Sequence, residues 1–334
     1  MIRIRPTAEG DLAGLSALFA ARFGRPLAPE EWHWKYRLVP GEARSLVAVG
    51  GGGAVLAHGG ALRLPARWRG GESGIWQLVD FAGGRGGGGL RPALVDLGRQ
   101  LLADLPAAGD APWIFGFPSE RHFRLGERVF GYHPLANVQP LAGPLPAGIA
   151  ADAVSSGAAA AAGLESGDSC GDWAEAIWRR CAVLGVRRSA AFLNWRYWAR
   201  PHRYYRFYRL LEAGHEGLAV FAFVGEEAWA TELWLPPPAE WYSPMLAIGA
   251  DLRAAGLRTW RFWPPPPVAA HASAPPGDRG ASDAGPAAGL LWRLGVRPDG
   301  EPRFVGCRGA AGDAAAPAAA ACGFYHAMGD YDLA

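Results

Sequence analysis

Apolar and polar positions alternate at the start of the chain. Ile2 and Ile4 interleave with Arg3 and Arg5, a period of two that predicts a half-buried strand. The period then lengthens: Leu12, Leu15, Leu18, Phe19 and Phe23 recur at helical spacing, with Thr7 where an N-cap belongs and Gly24 as the stop. "APEEWHWKYRL" predicts a second short helix, opened by Pro29 and carrying Glu30 and Glu31 at its positive end. Runs at 45–50 and 54–68, joined by glycines 50–53, read as a hairpin, and 73–81 as the next strand. After a glycine cluster, "LRPALVDLGRQLLADL" predicts a helix that tolerates Pro92 in its first turn. "APWIFGFP" is a strand, "SERHFRLGERVF" a helix capped by Ser119, and "GYHPLANVQPL" a last strand.

Residues 142–168 are mostly Ala, Gly, Pro and Ser and read as a linker. Beyond them the pattern resumes. "DWAEAIWRRCAVLG" is an amphipathic helix, "YYRFYRLLE" and "LAVFAFVGEEAWATELWLP" supply strands, "EWYSPMLAIGADLRAAG" a helix, "LRTWRFWPPPP" a strand and "GLLWRLGV" a helix. The Ala/Pro/Gly-rich stretches 265–288 and 309–321 are expected to be loops or disordered insertions.

One phrase occurs twice. "WKYRLVP" (34–40) and "WRYWARP" (195–201) both spell Trp, a cation, Tyr, three residues, Pro. At a similar interval behind each come an aromatic strand closing on Pro (Trp113 to Pro118, Trp260 to Pro264) and a glycine pair, Gly131-Tyr132 or Gly295-Val296. Shared features in the same order predict a tandem duplication of one α+β unit, 1–141 and 169–334, each a twisted, mostly antiparallel sheet flanked by helices. Because the repeated Trp and Tyr serve both copies alike, they are expected to be core anchors.

Half of the 334 residues are hydrophobic and 15 are Trp, enough apolar area for real cores. The formal net charge of +2 gives no general pull toward nucleic acid or an anionic membrane. Lys35 is the single lysine. Cys170, Cys181, Cys307 and Cys322 show no CxxC spacing and read as reduced thiols, and no His/Asp/Glu grouping has metal-ligand spacing. "MIRIRPTAEGDL" lacks the apolar core of a signal peptide, so the expected location is cytoplasmic.

The chemistry signal is "VDFAGGRGGGGLRPAL" (79–94), a strand running through glycines directly into a helix. Glycines allow close backbone approach, and a helix start offers unpaired N–H groups, so the stretch suits a phosphate or pyrophosphate. It has no Gly-Lys-Ser/Thr, and it does not open its unit as a dinucleotide fingerprint would. In its order of elements the unit resembles the GNAT acetyltransferase family. "GGRGGGGL" (83–90) resembles that family's pyrophosphate loop, with Gly86 and Gly88 at its two glycine places and Gly83 where Gln or Arg is usual. "FGFPSERHFRLGERVFGY" is similar to the family's later strand, helix and Gly-aromatic closure; the repeated phrase and the tail "FYHAMGDYDLA" resemble a subgroup with two such units.

The resemblance implies an acyl-CoA-dependent N-acyltransferase, with acetyl-CoA as donor and the amine of a small molecule or sugar as acceptor. It implies that pantetheine pairs near Val79 and Phe81 and that the pyrophosphate sits on the amides of Arg85, Gly86, Gly87, Gly88, Gly89 and Leu90. Asp80 is the candidate base, its alternative role being that of a loop-stabilising carboxylate. The family's acid, a Tyr four residues before the closing Gly, is replaced by Glu127, which leaves His122 or Tyr132 as stand-ins. His58 reads as a strand histidine, and Asp330 and Asp332 match the subgroup's ending. In the second unit "LWLPPPAEWYSPML" (233–246) replaces the glycine loop; its prolines remove donors, so that unit is expected to shape the cleft without binding CoA. Two alternatives stay open: a non-catalytic CoA-binding protein, and a related aminoacyl transferase fed by charged tRNA, against which the near-neutral charge balance counts.

Overall fold

A computed structural model describes residues 2–68, 71–84, 90–105, 113–146, 164–181, 184–236, 240–263, 286–300, 303–309 and 324–325. The first half runs β1 (Arg3–Pro6), α1 (Leu12–Phe23), α2 (Pro29–Arg37), β2 (Glu42–Val49), β3 (Val55–Trp68), β4 (Gly71–Gly83), α3 (Leu90–Asp104), β5 (Trp113–Gly116), α4 (Glu120–Phe130), β6 (His133–Val138) and β7 (Leu141–Pro144). The second half contributes β8 (Leu164–Gly167), β9 (Leu184–Val186), β10 (Tyr205–Glu212), β11 (His215–Val224), β12 (Glu227–Trp234), β13 (Thr259–Phe262), β14 (Arg297–Pro298), β15 (Arg303–Gly309) and β16 (Phe324–Tyr325). Its helices span Trp173–Cys181, Ala190–Leu193 continued by a π-turn over Asn194–Trp198, Tyr242–Ala254 and Pro286–Arg293.

Seven strands in each of two sheets follow the same topology, and the first sheet also carries β9 against β3 and β16 against β9. One runs β1-β2-β3-β4-β5-β15-β6; the other, read from its far edge, runs β8-β10-β11-β12-β13-β7-β14. Within each, only the fourth and fifth of these strands pair in parallel, β4 with β5 and β12 with β13. The strand beyond that parallel pair is exchanged. β15, late in the chain, sits between β5 and β6, while β7, from the first half, sits between β13 and β14. The stretch expected as a linker therefore ends in ladder at both sides, with β7 next to β13 and β8 against β10.

The repeated phrases meet at the centre. Trp34 and Trp195 stack with ring centroids 5.1 Å apart. Trp34 Nε1 donates to the Trp195 carbonyl at 2.7 Å, and Trp195 Nε1 donates to the Trp34 carbonyl at 3.0 Å. Each indole thus satisfies its one donor on the other copy's backbone. Trp34, Tyr36, Trp195 and Tyr197 are all buried in one apolar cluster that draws on both halves of the chain. On the opposite face of the first sheet, Leu97 and Leu101 of α3 pack on Ala61 and Trp76.

Gly24 ends α1 with φ +80°, as the pattern indicated. Thr7 is not its cap. A 3₁₀ turn over Glu9–Asp11 precedes α1, the Ala8 amide donates to Asp11 Oδ2 at 2.8 Å, and Arg5 holds both oxygens of that carboxylate at 2.6 Å. The Thr7 hydroxyl lies 2.7 Å from Ser45 Oγ instead. Of the expected insertions 265–288 and 309–321, residues 286–288 instead open the helix Pro286–Arg293 and Gly309 ends β15, while the rest, and the tail beyond Tyr325 with Asp330 and Asp332, lie outside the described residues.

Candidate active site

β4 and β5 pair only from Trp76–Leu78 to Ile114–Gly116. Past those registers β4 continues to Gly83 while β5 turns at Phe117 and Pro118 into α4, so the strands part. A cavity of about 520 Å³ fills the opening. Its walls are β4 from Gln77 to Phe81, β5 and its exit from Ile114 to Ser119, Arg22 and Phe23 at the end of α1, and Leu94 of α3. His122, Leu125 and Phe130 of α4, with Tyr132 and Gly306, complete them. Carboxyl ends of parallel strands are where open sheets bind ligands, because the backbone there is not committed to a neighbour. Volume and a mostly apolar lining suit a small-molecule site.

A bulge shapes the β4 wall. His58 pairs with Ala82 and Gly60 with Val79, so Asp80 and Phe81 both oppose Gly59. Asp80 takes φ +57°, a left-handed conformation that Asp tolerates better than most residues. Its carboxylate, 4% exposed, is gripped by Lys35 Nζ at 2.9 and 3.0 Å and by the Tyr36 hydroxyl at 2.7 Å. Its carbonyl accepts from His58 Nδ1 at 3.0 Å. A carbonyl only accepts, so the His58 proton is on Nδ1, and Nε2 takes the Ser45 hydroxyl at 2.9 Å. Burial lowers the His58 pKa, consistent with this neutral tautomer. Tyr36 reaches Asp80 because Gly60 lies beneath it; a Cβ there would come within 2.1 Å of the hydroxyl. Lys35, Tyr36 and His58 thus lock the bulge from three sides.

Of the sequence candidates, Val79, Asp80 and Phe81 line the cavity. Asp80 does so with its carboxylate already bound by Lys35 and Tyr36. Arg85, Gly86, Gly87, Gly88 and Gly89 lie outside the described residues; Leu90 opens α3. Glu127, at the family's acid position, is exposed and absent from the lining, whereas both stand-ins, His122 and Tyr132, are part of it. Tyr132 packs on α4 at Gly126, where a Cβ would come within 2.0 Å of the ring. The His122 pKa is lowered by burial first and then by the charges of Arg22 and Arg121. The sequence reading missed the Lys35–Tyr36–Asp80 lock. Lys35 being the only lysine, inside the repeated phrase, was the available signal.

The second unit holds a different arrangement at the matching strand. Glu232 of β12, 1% exposed, accepts from Tyr197 at 2.7 Å, from Arg188 Nε at 3.0 Å and, through its other oxygen, from Trp234 Nε1 at 2.9 Å. Trp263, just past β13, is buried and its ring lies 5.6 Å from that of Phe117. Among the described residues no group of three or more His, Cys, Asp or Glu could hold a metal ion, and no helix is long and apolar enough to cross a membrane.

No protein-family profile and no curated protein sequence matches this chain. Solved structures do. A GCN5-related N-acetyltransferase from Anabaena variabilis ATCC 29413 superposes with a TM-score of 0.58 at 12% identity, over 93% of this chain and 73% of its own. One from Sphaerobacter thermophilus gives 0.54 at 15%, over 92% and 96%, and one from Kribbella flavida 0.52 at 14%, over 93% and 72%. At such identities the likeness establishes fold, not activity.

Proposed function

We infer a function from a fold that is GNAT-like: α+β, with two mixed, mostly antiparallel sheets flanked by helices, shared across nearly the whole chain with structures described as N-acetyltransferases. We propose that the chain is an N-acyltransferase that takes acetyl-CoA or a related acyl-CoA and an amine on a small molecule or sugar, working in the first unit. The observation that carries this reading is the cavity in the β4–β5 opening, walled by a locked bulge on the strand that the sequence continues into the glycine run before α3. Backbone at Val79 and Phe81 would meet the pantetheine arm, and the amides from Arg85 to Leu90 the pyrophosphate, as an anion nest at a helix start. The second unit, with prolines for glycines and Glu232 closed in by Arg188, Tyr197 and Trp234, binds no CoA in this reading.

Direct transfer forms a bond between the amine nitrogen and the thioester carbon, breaks the carbon–sulfur bond, removes a proton from nitrogen and returns one to sulfur. With the Asp80 carboxylate bound by Lys35 and Tyr36, its part in this reading is to hold the bulge. His122 fits the base: it lines the cavity and its lowered pKa keeps it neutral near pH 7. Tyr132, on the same wall, fits the acid. Thiol release from acetyl-CoA across a panel of amines tests the reaction. His122→Gln is expected to lower kcat by about 100-fold, within the range for a lost general base. The wild-type rate is expected to fall only at pH below 6.5, the ordinary histidine value, because the lowered pKa shifts the acid limb down. CoA affinity with no turnover on any amine favours the binding-protein alternative.

A further inference from the structure

The described wall of the cavity carries two formal charges, Arg22 and Asp80. Asp80 is neutralised by Lys35, whose Nζ lies 2.9 and 3.0 Å from its two oxygens. Arg22 stands in the last turn of α1 and is half-buried. Among the described residues its guanidinium has no hydrogen bond, no ion pair and no aromatic ring against it. Neighbouring Arg25, by contrast, is held by Glu31 at 2.7 Å. The described wall is therefore left with one positive charge in excess.

Two placements decide what that charge can meet. α1 packs on the face of the first sheet opposite to α3, so Arg22 enters the cavity wall from the side away from α3. His122 of α4 lines the same cavity, and after burial the Arg22 charge is the larger of the two that lower its pKa. The other is Arg121, which is exposed and absent from the lining. A guanidinium fork takes a carboxylate through two parallel N–H···O bonds. A carboxylate brings one negative charge and balances the wall; a phosphate dianion would overshoot it. In an α-amino acid a single carbon separates carboxylate from amine. An acid held on Arg22 thus keeps its nitrogen in the part of the cavity that His122 walls.

We propose that Arg22 binds the carboxylate of the acceptor and so determines its class: an amino acid, acylated on its amine. This rests on the acyl-transfer reading and narrows the acceptor to an amine that carries a carboxylate.

The test melts the full chain with N-acetylleucine or N-acetylleucinamide at equal concentration and ionic strength. The two share an acyl group and an apolar side chain suited to the mostly apolar lining, have no titrating amine, and differ by one charge. The acid is expected to raise Tm more than the amide, with the difference lost in Arg22→Gln and partly restored in Arg22→Lys. No rise with either, equal rises, or a difference that survives Arg22→Gln overturns the site. Thiol release from acetyl-CoA with leucine or leucinamide then reads the role, at about pH 8, where His122 is neutral with or without the Arg22 charge. The KM of leucinamide divided by that of leucine should fall about tenfold in Arg22→Gln. An unchanged ratio, or turnover of leucinamide alone, overturns the acceptor assignment. No thiol release from any amine, with the Tm difference intact, overturns the acceptor role together with the acyl-transfer reading, while the carboxylate site itself stands. Weaker acetyl-CoA binding in Arg22→Gln, with acid and amide still told apart, gives the guanidinium to the donor and overturns the proposal.

Discussion

The two sheets share a topology and each sets a carboxylate on its fourth strand against the tyrosine of the same repeated phrase, yet they differ in what surrounds it. In the first unit Asp80 sits on a left-handed bulge, bound by a lysine and a tyrosine, beside a 520 Å³ opening. In the second unit Glu232 is enclosed by Arg188, Tyr197 and Trp234, and the register irregularity falls at Thr231, whose hydroxyl bonds the Val220 carbonyl at 3.0 Å. One scaffold therefore supports two different settings for the carboxylate of its fourth strand. The difference is made by a handful of side chains around the strand that follows the hairpin.

The comparison breaks first at Glu232. Arg188 and Glu232 are both fully buried, so removing one charge takes from the other its partner at 3.0 Å in a low dielectric. Glu232→Ala should cost about 3–5 kcal/mol in urea unfolding. A loss below about 1 kcal/mol would show that water reaches Arg188. In the first unit, Asp80→Asn leaves Lys35 buried beside a neutral amide; a loss of about 2–3 kcal/mol is expected, since the Tyr36 bond can persist. That variant should also weaken acetyl-CoA binding, whereas Glu232→Gln should not; equal effects on CoA would erase the distinction between the sheets. The central tryptophans sharpen the shared part. Trp34→Phe and Trp195→Phe each lose one buried indole bond and orphan one carbonyl, so each should cost about 1–2 kcal/mol, and nearly the same amount. Markedly unequal losses would mean the two copies do not bear on each other symmetrically.

Much of this was legible in the chain. Periodicity located the helices and the hairpin, Gly24 and Gly131 marked helix ends, and the twice-written Trp-cation-Tyr phrase announced the duplication and proved to be core on both sides. The exchange of β7 and β15 was not legible. A strand's pattern says which face it buries but not which sheet it joins; 142–144 reads as the start of a linker, and 303–309, with two Arg and two Gly in seven residues, shows no strand period. Asp80 was picked for its place at the strand end, but its positive φ and its hold on Lys35 depend on a bulge that only pairing with β3 reveals.

Titration of acetyl-CoA into the full chain by calorimetry tests the central claim most directly. One mole bound per mole of protein is expected, with binding abolished in Gly88→Pro and retained in Glu232→Gln. Two moles bound, or none, or binding that survives Gly88→Pro, would contradict a single working cleft between β4 and β5.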